Sequence, residues 1–417
     1  MHSYIFKIGI CLLLFSAYKS YSQSNNEPSD STSQQLRISG YLQMQYQIAA
    51  RPGILSFAGG DFPLNNKDRF TIRRGRFKFD RVDKFTNIVF QLDATQDGVG
   101  LRDAFIQLKD PVFNTFTLTA GQFTKPFGYA LSYSSGAREF PERPRFYQTL
   151  MPGERDIGAM IRISPPQYKF LSYEIGLFNG SGTNARDYDR RKDLSTSLHF
   201  QFNNLINNVE IGAGASYYYG FIRQNTNTSF KFKINSTAFG FVPKTDDKNI
   251  GSYSERRYTG LDIQLKTDGL LGKSSIKAEY VMGKQPGIIP FDNITGPQAS
   301  RSFNVQPKTD IYSRNFKGYY IWFVKEIPNT RLHLIASYDV YDPNTFIKGK
   351  SIGVTSTNTS SGDVKYQNYG AGLVFLTTRQ VKMVLYYDHP VNEKTSLEDY
   401  SQELRDDVFT ARIQYQF

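Results

Sequence analysis

The chain has 417 residues, a net charge of +12 and a single cysteine, Cys11, which lies in an N-terminal apolar run. Disulfide frameworks and cysteine metal sites are excluded, and no metal or other cofactor is expected. Aromatics reach 15%, with 33 Phe and 28 Tyr, yet the mean hydropathy is −0.46 and no later apolar stretch is long enough to be a spanning helix.

Lys7, the apolar run Ile8 to Ala17 and the small residues Ser20 and Ser22 predict a secretory signal peptide over residues 1–22. Loss of Lys7 and Lys19 with it takes the charge from +12 to +10. Residues 23–35 are polar and Ser-rich, which predicts a flexible periplasmic leader. From Leu36 the pattern changes to a period of two. Ile38, Gly40, Leu42, Met44, Tyr46 and Ile48 share one face, and Tyr41, Gln43, Gln45 and Gln47 the other. About 16 such segments follow one another to residue 417, an even number. Their connections alternate between long (Ala50 to Arg69, Thr124 to Arg155, Gly220 to Ser254) and short (Asp83 to Thr86, Asp110 to Asn114). Gln96 to Gly100 breaks the rule by being short where a long connection is due. Long loops at one end and tight turns at the other predict an all-β, transmembrane, antiparallel up-and-down barrel over residues 36–417, in the cell outer membrane. A polar average is no obstacle, because only alternate residues face lipid.

The second segment reads F-T-I-R-R-G-R-F-K-F-D-R. With Phe77 and Phe79 toward lipid, Arg74, Arg76 and Lys78 face the lumen as a ladder with steps of roughly 7 Å. Such a ladder favours anions, since low-dielectric walls focus its field. Arg162 joins the same face. Asp80, Asp93, Asp103, Asp262 and Asp339 are also lumen-facing by parity, so pairing across strands is the competing reading. The third long connection, residues 124–155, is dense in Pro, Gly, Arg and Tyr, which predicts an ordered loop folded into the lumen. It carries Lys125, Arg138, Arg143 and Arg145.

Four stretches, R-R-G-R-F-K-F, G-Q-F-T-K-P-F-G (Gly121 to Gly128), E-R-D-I-G-A-M (Glu154 to Met160) and G-L-F-N-G-S-G (Gly176 to Gly182), occur in this order. On them the chain resembles the phosphate-selective porin O and P family, from Leu36 to Phe417. The resemblance implies a 16-stranded barrel, a homotrimer, an inward third loop, and lumen cations that bind and relay phosphate or polyphosphate. Carried onto the matching motifs, that role falls to Arg74, Arg76, Lys78 and Lys125, with Arg138, Arg143 and Arg145 as loop candidates. The expected function is passive diffusion of small hydrophilic solutes, with a preference for anions such as phosphate. A weakly selective porin and a plugged barrel acting as a surface adhesin or binding protein stay open beside it.

Asp268 to Ser275 contains G-K-S but lacks the upstream glycine of a phosphate-binding loop, Thr267 standing there, and reads as a turn. Beyond the signal region only His199, His333 and His389 remain, none beside a nucleophile motif, so no enzyme is expected. The basic excess is spread over barrel and loops without a nucleic-acid fold signal, so no nucleic-acid partner is expected either. The last segment, D-V-F-T-A-R-I-Q-Y-Q-F, has Phe409, Ala411, Ile413, Tyr415 and Phe417 on one face. A terminal aromatic strand predicts contact with outer-membrane lipid and with barrel-assembly machinery through Phe417.

Overall fold

The computed structural model describes residues 36–187, 189–206, 208–235, 238–269, 272–289 and 309–417. The expected signal peptide and leader lie outside these residues. One continuous sheet closes on itself, because β1 (Leu36–Ala49) pairs with β2 (Asp68–Val82) on one side and with β18 (Val408–Gln416) on the other. Between them run β3 (Thr86–Thr95), β4 (Gly98–Lys109), β5 (Phe116–Thr124), β6 (Arg155–Ile163), β7 (Leu171–Phe178), β8 (Asp193–Ile206) and β9 (Val209–Arg223). The ring continues through β12 (Tyr253–Gly269), β13 (Gly272–Gly287), β14 (Ile311–Glu326), β15 (Leu332–Asp342), β16 (Tyr366–Leu376) and β17 (Val381–Asn392). These sixteen strands, antiparallel throughout, are the sixteen segments of the sequence pattern.

The alternation has the sense expected of lipid contact. In β1 Ile38 is 58% exposed, whereas Gln43 is 1% exposed. Apolar residues face out and amides face in, the reverse of a water-soluble sheet. Three tight turns at one end use an asparagine at positive φ: Asn114, Asn208 and Asn329. Asparagine tolerates that left-handed region better than other non-glycine residues, which is why the chain reverses there in so few residues. Beyond β18, the backbone N–H of Phe417 donates to Gly40 O and its carbonyl accepts from Gly40 N, each at 3.0 Å. The Phe417 ring packs on Phe77 at 5.7 Å. A side chain at Gly40 would strike the Arg76 carbonyl at 2.1 Å, so the seam needs glycine.

The connection between β9 and β12 differs from the expectation of one long loop. It contains a hairpin, β10 (Thr228–Asn235) and β11 (Ala238–Thr245), while β9 pairs directly with β12. Phe230 and Phe232 alternate with Lys231 and Lys233, a strand pattern too short to stand out beside the barrel strands. Phe230 stacks on Tyr312 at 4.1 Å, and Ser229–Lys231 run parallel to Ile311–Ser313 of β14.

The interior is crossed by the connection between β5 and β6. It forms two short helices, α1 (Tyr129–Ser132) and α2 (Arg145–Leu150), and touches inward-facing side chains on opposite sides of the ring. Phe127, Phe140, Phe146, Tyr147 and Leu150 from this segment share one buried cluster with Tyr258, Tyr320, Trp322, Val324 and Tyr386 from the strands.

Candidate functional site

The inward segment is held at its root by charge and by one glycine. Lys125 Nζ lies 3.9 Å from Asp156, and Glu154 accepts from Arg143, Arg155 and, at 3.1 Å, Arg102. Gly128 has φ +62, and a Cβ there would lie 1.9 Å from the Tyr147 hydroxyl. Only glycine lets its N–H reach Ser216 Oγ at 2.8 Å.

From this root the segment meets two different surfaces. On one, Phe140 stacks on Trp322 at 4.9 Å, Phe146 packs on Tyr320 and Gly318, and Tyr147 donates to Glu279. On the other, Glu142 takes Arg73, Arg74 and Arg412, each at 2.8 Å. Gln43 and Gln414 donate to the carbonyls of Ser135 and Gly136 at 3.0 and 2.9 Å. Burial works to raise the Glu142 carboxyl, but Arg73, Arg74 and Arg412 outweigh it and hold it well below its usual range.

Two cavities flank the segment along the ladder. That on the long-loop side, about 230 Å³, is lined by Arg73, Arg74, Arg76, Arg102 and Arg143 with Asp93, Glu142 and Glu154. That on the short-turn side, about 360 Å³, is lined by Arg76, Lys78, Arg143, Arg155 and Arg162 with Asp103 and Glu174. Arg76 and Arg143 belong to both. The cations are not free. Arg76 pairs with Asp93 at 3.3 Å, Lys78 with Asp80 at 3.4 Å, Arg155 with Asp103 at 3.0 Å and Arg162 with Glu174 at 2.5 Å. Three of these pairs run between strands, as in the competing reading of lumen charges, and Lys78–Asp80 lies within β2.

Arg74, Arg76, Lys78, Arg143 and Arg162 share this surface; three other candidates do not. Lys125 is buried against Asp156 at the root, where burial lowers its pKa and Asp156 opposes the shift. Arg138 is also buried, its Nε donating to Phe140 O and its Nη2 to Pro141 O, each at 3.0 Å. Burial, then Arg143 and Arg74, push its pKa well down. Lys125 and Arg138 line neither cavity. Their side chains instead make contacts within the segment and at its root. Arg145 stands elsewhere, stacked on Tyr366 and Phe57 at 3.2 and 4.1 Å from the ring centres. Burial pushes Arg143 down to about 10, with Glu154 opposing and Arg155 and Arg74 adding to the effect.

Parity missed Arg73 and Arg102, and the cause is local. The β1–β2 register shifts between Gln43 and Met44, whose partners are Arg74 and Ile72, leaving Arg73 as the extra residue. The β3–β4 register shifts between Gln91 and Leu92, whose partners are Asp103 and Leu101, leaving Arg102 extra. Each bulge turns an arginine that strict alternation would send to lipid toward the cavity instead. A charged residue at a lipid-facing parity position was the available signal, because such a placement is costly.

The sequence profile described as "Phosphate-selective porin O and P" matches residues 64–417. Several solved structures share the fold. The outer membrane channel DcaP of Acinetobacter baumannii is 13% identical, with a TM-score of 0.54, covering 93% of this chain and 99% of that one. The anion-selective porin from Comamonas acidovorans is 10% identical at TM-score 0.52, covering 92% and 99%. The trimer form of Vibrio cholerae OmpT is 8% identical at TM-score 0.51, covering 92% and 100%. No curated protein matches.

Proposed function

We propose, on the premise that the chain belongs to the phosphate-selective porin O and P family, that this outer-membrane porin passes small hydrophilic solutes by diffusion with a preference for anions, phosphate among them. The family and fold point to a channel rather than an enzyme. One observation carries the anion preference. The two cavities are lined by eight cations against five carboxylates, and two of the arginines bridge them. The excess is modest, so the field favours anions without excluding cations. A lining cation already bonded to a carboxylate, as Arg76 is to Asp93 and Arg162 to Glu174, holds a passing anion less tightly than a free one would, which makes the sites along the path weak. Conduction requires that, since a tight clamp would not release the ion.

Residues 1–22 act in this reading as the export signal, and Phe417 as the point engaged by barrel-assembly machinery. The assembly is a homotrimer; one similar structure is described as a trimer. The pairing of the ladder supports a second reading, a porin with little selectivity.

Single-channel conductance of the purified protein in a planar bilayer separates these. Reversal potentials in a KCl gradient report the chloride-over-potassium ratio, and added phosphate reports binding. Anion-selective steps blocked by phosphate support the first reading. Large, weakly selective steps indifferent to phosphate support the second. Absence of conductance overturns both and leaves a closed barrel that acts through its loops.

A further inference from the structure

Arg145 differs from the ladder in that, among the described residues, no carboxylate closes to ion-pair distance on its guanidinium, although its charge acts on Asp339 and Asp406. Its guanidinium is fixed over Tyr366 and Phe57, 3.2 and 4.1 Å from the ring centres, while its backbone N–H donates to Asp339 at 3.3 Å. It lines a further cavity of about 420 Å³ under the long loops, together with Tyr341, Tyr366, Arg51, Asp399 and Asp406. That size lies within the range of about 300–1,000 Å³ usual for small-molecule sites. The second observation is Asp406. It is 7% exposed, and its Oδ1 has no hydrogen-bond partner among the described residues. Buried carboxylate oxygens are ordinarily satisfied, and one left open beside a cavity awaits a donor.

A cavity that holds a guanidinium and a carboxylate not joined in an ion pair suits a ligand that carries both charges. Inorganic phosphate would gain Arg145 and Arg51 but would meet Asp399 and Asp406 as well. A neutral sugar would leave the guanidinium without a counter-charge. We propose that this outer vestibule binds small zwitterions, namely amino acids or short peptides, with the ligand carboxylate on Arg145 and its ammonium at Asp406. The stacked guanidinium presents a fixed fork to a carboxylate, so little order has to be acquired on binding. The aromatic walls of Tyr341 and Tyr366 accommodate the apolar part of the ligand. This inference shares only the barrel with the anion reading, for its residues are not those of the ladder.

The test is calorimetric titration of the detergent-purified full chain with alanylalanine, with acetate and ethylammonium as single-charge controls. Binding of the dipeptide, weakened about tenfold or more by Arg145→Gln and by Asp406→Asn, is expected. Arg145→Lys keeps the charge without the fork and should fall between. Heat-modifiable migration of each variant confirms a folded barrel. Acetate binding as strongly as the dipeptide would replace the proposal with a simple anion site. Loss of neither affinity in the two variants, or no dipeptide binding to a folded barrel, would overturn it. Calorimetry reads binding even if the barrel does not conduct, so failure of the porin reading and failure of this one are distinct results.

Discussion

The two walls that face the inward segment use opposite chemistry. Along β12 to β17 the wall is aromatic: Tyr258, Tyr320, Trp322 and Tyr386 join Phe127, Phe140 and Phe146 in one buried cluster. Along β1, β2 and β18 it is charged and amidic: Gln43, Arg74, Arg412 and Gln414 hold Glu142 and the carbonyls of Ser135 and Gly136. Aromatic packing is dense, so the first wall fixes the segment where these rings meet, and toward the short turns it gives way to a cavity of about 500 Å³ lined by Tyr129, Tyr133, Glu139, Lys277 and Val324. Ion pairs and amides hold position while keeping wetted edges, so the second wall fixes the segment and still borders two cavities. One interior thus anchors the same segment by two kinds of contact, ring packing on one side and ion pairs with amides on the other.

Phe146→Ala attacks the anchoring wall and carries the largest expected effect. A buried aromatic truncated to alanine costs about 3–5 kcal/mol, which should lower the heat-modifiability midpoint and add current noise as the segment loosens. If both stay at wild-type values, the aromatic wall is not the anchor. Replacing Arg74, Arg76 and Lys78 together with Gln attacks the other wall. Each unit charge at about 4 Å in a watery dielectric is worth about 1 kcal/mol, so the chloride-over-potassium ratio should fall by about fivefold or more. An unchanged ratio would remove the ladder from the permeation path.

Deleting Phe417 tests the seam that closes the charged wall. It removes the two backbone bonds to Gly40, worth about 1 kcal/mol each, and the contact with Phe77. The yield of folded barrel in cells should drop, and a normal yield would count against engagement of this residue by assembly machinery. Glu142→Gln sharpens the comparison from the loop side. It leaves Arg73, Arg74 and Arg412 without their shared carboxylate, so the chloride-over-potassium ratio should rise by about fivefold. A fall would mean that the segment had moved rather than merely lost charge.

The smallest effect concerns Asp406, at the rim beyond both walls. Burial pushes its carboxyl up to about 7 from 3.8, with Arg145 opposing. A raised carboxyl favours the neutral form in the folded state. Its stabilising contribution is complete below about pH 4 and is lost as pH rises through about 7. The heat-modifiability midpoint should therefore decline across that window, and Asp406→Asn should flatten the decline. An identical profile in the variant would show that another group sets it.

Much of this molecule could be read along the chain because its strands are governed by a local rule. Period-two alternation, an even count and long loops alternating with short turns depend on residues two to a dozen apart, and lipid outside makes that alternation strict. Arg74, Arg76 and Lys78 were placed on the lumen side by the same rule. It failed at Arg73 and Arg102, where a one-residue bulge is a property of two strands and not of one. The aromatic wall left a trace, since β14 is apolar on both faces, with Tyr319, Ile321 and Phe323 outward and Tyr320, Trp322 and Val324 inward. What covers that second face could not be read locally. Ser135 meets Tyr41 across 94 positions of sequence, and Gly136 meets Gln414 across 278. The sequence by itself determined the barrel, its sidedness and the inward placement of the ladder, because each follows from near neighbours and the surrounding solvent. Only the tertiary structure decided which cations are neutralised, which hold the inward segment and that Arg145 lies stacked on Tyr366 and Phe57, because ion pairing and stacking depend on distances between groups that chain closure alone brings together.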